Sequence, residues 1–148
     1  MHTENKRIET ELEVNTYIAR LRHAINRGAT INFQTERVVD SNRDIKYTNS
    51  YTVATLFPNE NPTDALKREL LSLTSKEYMC TVKDLRFPKR SEMRVFGKTY
   101  NFTEDVYIKI RVELVDPNNA NNHTTFVMSF HFAEKPFNAD DFPYRNDN

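Results

Sequence analysis

The chain has 148 residues, enough for one domain with a continuous core, and its 38% hydrophobic content with 10 Phe and 7 Tyr argues against a disordered chain. Basic and acidic residues balance at 21 each, so the global charge selects neither nucleic acid nor an acidic surface. One cysteine excludes an internal disulfide, no apolar run approaches a membrane span, and the start MHTENKR lacks a signal-like apolar stretch, so a cytoplasmic chain without membrane contact is expected.

In chain order, Val14, Ile18, Leu21 and Ile25 recur at spacings of four, three and four, which predicts a helix over residues 9 to about 27. Gly28 is its natural stop. From Ala29 the period changes to two, with Ile31 and Phe33 alternating with Asn32 and Gln34, and a strand is expected toward Val39. Residues 40–44 read as a turn. Residues 40–58 as a whole read as an insertion, with 45–57 extended. Asn61, Pro62 and Asp64 announce a second helix, buried through Leu66, Leu70 and Leu73. Thr74 and Glu77 then have capping-box spacing, and a short third helix is expected from Ser75 to about Lys83 with Tyr78 and Val82 one turn apart. Met93–Tyr100 reads as a strand, with Gly97 as a bulge or a point of close approach.

The clearest strand is Val106–Val115: Val106, Ile108, Ile110, Val112 and Leu114 fall on one face, and Tyr107, Lys109, Arg111 and Glu113 on the other. A polar connection over 116–123 leads to a return strand, Thr124–Phe132, with Phe126, Met128, Phe130 and Phe132 opposed to Val127, Ser129 and His131. Residues 134–148 read as a loosely attached polar tail. The whole is expected to be a single α+β domain over residues 1–148, an N-terminal helix and a helical pair packed on one face of a curved antiparallel sheet.

Charge is uneven along this frame. Lys83, Arg86, Lys89, Arg90, Arg94 and Lys98 cluster against only Asp84 and Glu92, while the tail leans acidic through Glu134, Asp140, Asp141 and Asp147. The cluster reads either as a solvated loop and edge strand or as a patch for a polyphosphate or acidic partner. The four histidines show no metal-ligand spacing, so no metal or cofactor is expected. Cys80 reads as packing, as do Tyr51, Tyr78 and Tyr100.

The outward faces of the last two strands are more informative. Tyr107 and Lys109 share one, and His131 with Ser129 the other. Metal-free cleavage of RNA needs a base for the 2′-hydroxyl, cations for the phosphorane and an acid for the 5′-oxygen. His131 alone has an ordinary pKa near neutrality. Lys83, Lys89, Arg90, Arg94, Lys109 and Arg111 are the candidate cations, and Tyr107 can stack on a base or donate a hydrogen bond. The plain alternative is that any solvated sheet face displays Tyr, Lys and Arg.

The strings Ala24-Ile25-Asn26-Arg27-Gly28, Leu71-Ser72-Leu73-Thr74-Ser75-Lys76-Glu77-Tyr78, Val106-Tyr107-Ile108-Lys109-Ile110 and Met128-Ser129-Phe130-His131-Phe132 resemble, in order, segments of the MqsR family of bacterial toxins, within the RelE-like endoribonucleases. The resemblance spans about two thirds of the chain. It implies a RelE/MqsR-like fold, cleavage of messenger RNA without a metal, and inactivation by a cognate antitoxin protein. By position it makes Tyr107 an active-site tyrosine and puts His131 in the place of a basic catalytic residue. Arg94 falls near a polar active-site position. The chain departs from the family where Met79 and Cys80 follow Tyr78, since a functional lysine is expected there; Lys83 is the substitute on offer. Its neutral charge, residues 40–58 and the acidic tail are also without counterpart.

Two readings from other classes stand beside the nuclease. One is a noncatalytic nucleic-acid or protein-binding inhibitor or adaptor that uses the basic segment. The other is a structural domain forming a homodimer through a sheet edge.

Overall fold

A computed structural model describes residues 4–33, 49–89, 91–114 and 124–145. Along the chain run β1 (Glu4–Arg7), α1 (Glu11–Asn26), β2 (Thr30–Phe33), α2 (Asn49–Leu56) and α3 (Pro62–Leu71), then a 3-10 turn over Ser75–Glu77. Next come β3 (Tyr78–Asp84), β4 (Met93–Tyr100), β5 (Glu104–Leu114), β6 (Thr124–Phe132) and a second 3-10 turn at Ala139–Asp141. The sheet order is β1-β3-β4-β5-β6-β2, antiparallel throughout except for the parallel pair β2–β6. The architecture is α+β, with a parallel strand at one edge of the otherwise antiparallel sheet.

All three helices cover one face. α1 contributes Val14, Ile18, Leu21 and Ile25, α2 Val53, and α3 Leu66 and Leu70; they meet Phe96, Ile108, Ile110, Met128 and Phe130 of the sheet in one core. The ends of α1 follow local chemistry. Thr10 and Glu13 close a capping box at its start, and Gly28 at φ +91° takes the left-handed backbone just past its end. Asn61 caps α3 by accepting from the Asp64 amide at 3.2 Å, with Pro62 in the first turn.

Three segments differ from the sequence reading. Residues 49–56 are helical rather than extended, because α2 replaces a strand beside β6. The described part of β2 pairs with β6 as far as Met128. Beyond it, the Phe130 amide donates to Asn49 Oδ1 at 3.1 Å and the Phe132 amide to Thr52 Oγ1 at 2.9 Å. Two helical side chains thus satisfy backbone donors that an edge strand would leave open. Second, the capping box at Thr74 and Glu77 forms but starts only one turn. Tyr78–Asp84 then runs as β3, its β-branched Thr81 and Val82 pairing with β4 and its far edge with β1. The spacing of Tyr78 and Val82 fits either period over so short a run. Third, β1 was not foreseen: Glu-Asn-Lys-Arg has no apolar alternation, and all four residues are exposed at the sheet edge.

The tail is also held more firmly than expected. Phe142 is 4% exposed and packs with Met79, Cys80 and Val95 in a second, smaller core on the face away from the helices. The expected strand extension to Val39, the turn at 40–44, the 116–123 connection and Arg90 lie outside the described residues.

Candidate functional site

Cross-strand register decides which candidates meet. Tyr107 pairs with Gly97 on β4 and with His131 on β6, and Lys109 with Val95 and Ser129. Directly opposed residues share a face, so Tyr107, Lys109, Ser129 and His131 stand together on the face opposite the helices. The Tyr107 and His131 rings are 5.9 Å apart, and Lys109 Nζ lies 5.4 Å from the Tyr107 ring centroid. Arg111, opposite Met93 and two residues beyond Lys109, extends this face.

The pair is not openly solvated. His131 is 8% exposed, and the Phe137 ring meets Tyr107 edge-on at 4.9 Å. His131 Nδ1 lies 3.1 Å from the Phe132 carbonyl oxygen, which can only accept; Nδ1–H is therefore the donor, and in the neutral ring Nε2 is the acceptor nitrogen. Burial raises the Tyr107 phenol above its ordinary value, with Asp141, Cys80 and Asp105 adding to the effect, so it remains protonated near neutrality. Burial likewise raises the Cys80 thiol, against the pull of Lys6 and Lys109, and this leaves it a poor nucleophile.

Arg94 falls elsewhere. Its partners Thr81 and Ile110 put it on the helix-covered face. There Nε and Nη2 each donate to Glu9 at 3.1 Å, and the guanidinium stacks 4.6 Å from the Tyr17 ring centroid. Glu9, 4% exposed, also accepts from Thr81 Oγ1 at 2.6 Å. The Glu9 amide donates to the Tyr78 hydroxyl at 3.0 Å, and that hydroxyl lies 2.7 Å from Thr81 Oγ1. Because Thr81 gives its proton to Glu9 and Tyr78 receives one, Tyr78 must donate to Thr81, closing a ring of three hydrogen bonds. Burial works against the charge on both partners; Arg94 and Thr81 nonetheless hold the Glu9 carboxyl below its ordinary range, and Glu9 holds Arg94 protonated. Arg94, expected in a catalytic role, is thus half-buried and paired with Glu9 on the face opposite Tyr107 and His131.

Lys83, two residues past Thr81, sits on the same side as Arg94 and near Glu92. Lys89 is exposed in the β3–β4 turn. Of the expected cations, Lys109 and Arg111 therefore join the Tyr107–His131 pair, while Arg94 and Lys83 do not. Gly97 is a point of close approach: a Cβ there would come within 2.8 Å of Phe137 Cε2 and 3.0 Å of Met79 Sδ. The register irregularity lies on β3 instead, between Tyr78 and Cys80.

The sequence reading missed the Glu9–Arg94 pair, whose members are 85 residues apart, and the seating of Phe137 and Phe142. An aromatic at each of those positions in a polar tail was the available signal. Among the described residues no group of three or more His, Cys, Asp or Glu is placed to hold a metal, and no helix is long and apolar enough to cross a membrane. Fold and site together define an α+β protein with a Tyr-Lys-Ser-His cluster on the sheet face away from its helices. No family model, curated protein or solved structure matches the chain.

Proposed function

We propose that the protein is a metal-independent endoribonuclease that cleaves messenger RNA by attack of the 2′-hydroxyl, with its site on the outer face of β5 and β6. The observation that carries this reading is the cross-strand pair of Tyr107 and His131, rings 5.9 Å apart, with Lys109 Nζ 5.4 Å from the phenol ring. His131 Nε2 takes the 2′-hydroxyl proton. Lys109 offsets the growing charge on the phosphorane, with Arg111 further along the strand for the next phosphate. Tyr107, kept as a phenol, offers its proton to the departing 5′-oxygen or its ring face to a base. Arg94 has no part in this scheme.

The resemblance of Val106–Ile110 and Met128–Phe132 to MqsR-type toxins supports the same reading and adds a protein antitoxin as partner and the cytoplasm as location. The test is incubation of purified protein with RNA in chelator, followed by end mapping. Fragments ending in a cyclic or 3′-phosphate are expected, and both Tyr107→Phe and His131→Ala should lower the rate at least about a hundredfold. Fragments with 3′-hydroxyl ends would refute the mechanism.

One observation favours a second reading, a noncatalytic binding module. His131 is 8% exposed and its Nδ1 is committed to the Phe132 carbonyl. That reading expects RNA or protein binding without turnover, unchanged in His131→Ala and weakened in Lys109→Ala or Arg111→Ala.

A further inference from the structure

The segment after β6 crosses the outer face of the sheet. It leaves with the Ala133 amide donating to the Asp105 carbonyl at 2.8 Å, and the Phe137 amide donates to Asp105 Oδ2 at 2.9 Å. Phe137 then lies edge-on to Tyr107 and, 5.6 Å away, against Phe142. Phe142 closes over Met79, Cys80 and Val95. At the far end Tyr144 stacks on Tyr78 at 6.1 Å and its hydroxyl donates to the Glu9 carbonyl.

The ends of this strap are fastened by hydrogen bonds, and its middle by the Phe137 amide on Asp105 and by aromatic contact. Residues 134, 135, 136, 138, 139 and 140 are exposed, so between its anchors Phe137 is the main grip until Asp141 and Phe142. Charge follows the same logic. The strap carries Glu134, Asp140 and Asp141 against Lys135 and Arg145, whereas the face beneath carries Lys6, Lys109 and Arg111. Asp141 precedes Phe142, which packs on Cys80 and Val95, and Val95 lies directly opposite Lys109, so the strap carboxylate and the lysine flank the same residues.

We propose that residues 134–145 are a displaceable cover that imitates a nucleotide: Phe137 holds, edge-on, the place against Tyr107 that a base would take, and the strap brings carboxylates to the face that carries Lys109. Single-stranded RNA and the strap then compete for one surface, and opening the strap is the step that uncovers Tyr107 and His131. The inference rests on the reading of this face as an RNA site. Its physical basis is that an aromatic ring and a nucleobase offer Tyr107 the same kind of contact, and a carboxylate and a phosphate offer lysine the same charge.

The test uses the full chain and two variants that loosen the strap from opposite sides. Phe137→Ala removes the grip. Gly97→Ala leaves the strap sequence intact and drives a methyl into the Phe137 seat. Both are first checked for cooperative thermal unfolding. Opening is read from the rate at which Cys80, now beneath Phe142, reacts with an aromatic disulfide reagent. RNA binding is read from the anisotropy of a dye-labelled single-stranded RNA 12-mer of mixed sequence at low salt. Faster Cys80 labelling, with RNA affinity raised roughly three- to tenfold in both variants, is the expected result. Faster labelling with RNA affinity equal to or below that of the wild type would overturn the competition while leaving the RNA site itself standing. Labelling no faster in either variant would overturn the cover. If Cys80 is open and neither wild type nor variant binds RNA, the RNA reading itself fails, and the inference with it.

Discussion

The inner face of the sheet is sealed by three helices, and its ionic groups are completely engaged: Glu9 accepts from Arg94 and Thr81 while Arg94 stacks on Tyr17. The outer face is crossed by one strap, and there Tyr107 meets the His131 and Phe137 rings and Lys109. Both faces carry arginine, lysine and tyrosine. The two sets differ in what covers them. Arg94 has two charge-assisted hydrogen bonds to a buried carboxylate and is immobilised. Tyr107 meets the Phe137 ring edge-on, and the proposed opening of the strap is the displacement of that ring.

The comparison breaks or sharpens with mutation. The largest effect is expected on packing: Phe96→Ala, at 0% exposure in the main core, should cost about 3–5 kcal/mol, against about 1–3 kcal/mol for Phe142→Ala under the strap. Chemical denaturation measures both, and equal costs would mean that the outer core is as integral as the inner. Next, Arg94→Ala should cost about 1–3 kcal/mol by leaving the Glu9 carboxylate with only Thr81 and the longer 3.5 Å pair to Arg7, with activity per folded molecule unchanged. Activity lost at unchanged stability would return Arg94 to the catalytic set.

Glu9 gives the pH dependence. Its folded carboxyl lies below the ordinary value, so the unfolded chain binds more protons between the two values. The stabilisation is present above the unfolded pKa of about 4.3 and is lost as pH falls through the folded one. Stability against pH should therefore fall more steeply below about pH 4.5 in the wild type than in Glu9→Gln. Parallel curves would place the acid sensitivity in other carboxylates. The smallest effect concerns the β4–β5 hairpin, whose central residues Asn101 and Phe102 have φ of 51° and 68°, with Phe102 wholly exposed. An Asn-Gly turn suits that backbone better, so Phe102→Gly should raise stability by roughly 0.5–1 kcal/mol in thermal melts.

Much of this fold was legible locally. The stripe of α1, the cap at Asn61, the stop at Gly28 and the alternation of β5 and β6 are all written within a dozen residues, and the structure has them. That alternation also put Tyr107 and Lys109 on one side. Residues 75–83 show where local reading stops: a good capping box began a turn, but the next residues pair with β4, and Thr81 and Val82 have sheet partners on both sides, so pairing outweighed propensity.

The sequence by itself determined the period of the long elements and the residue types on each strand face, because both depend on near neighbours and on the geometry of one chain segment. Only the tertiary structure decided which faces coincide. Arg94 went inward and Tyr107 outward because β4 pairs with β5 in the register Arg94–Ile110 and Gly97–Tyr107. The strap found its seat because Gly97 leaves room for a ring 40 residues away. Parity between strands and the fit of remote side chains are set by contacts across the fold, and no short window of sequence contains them.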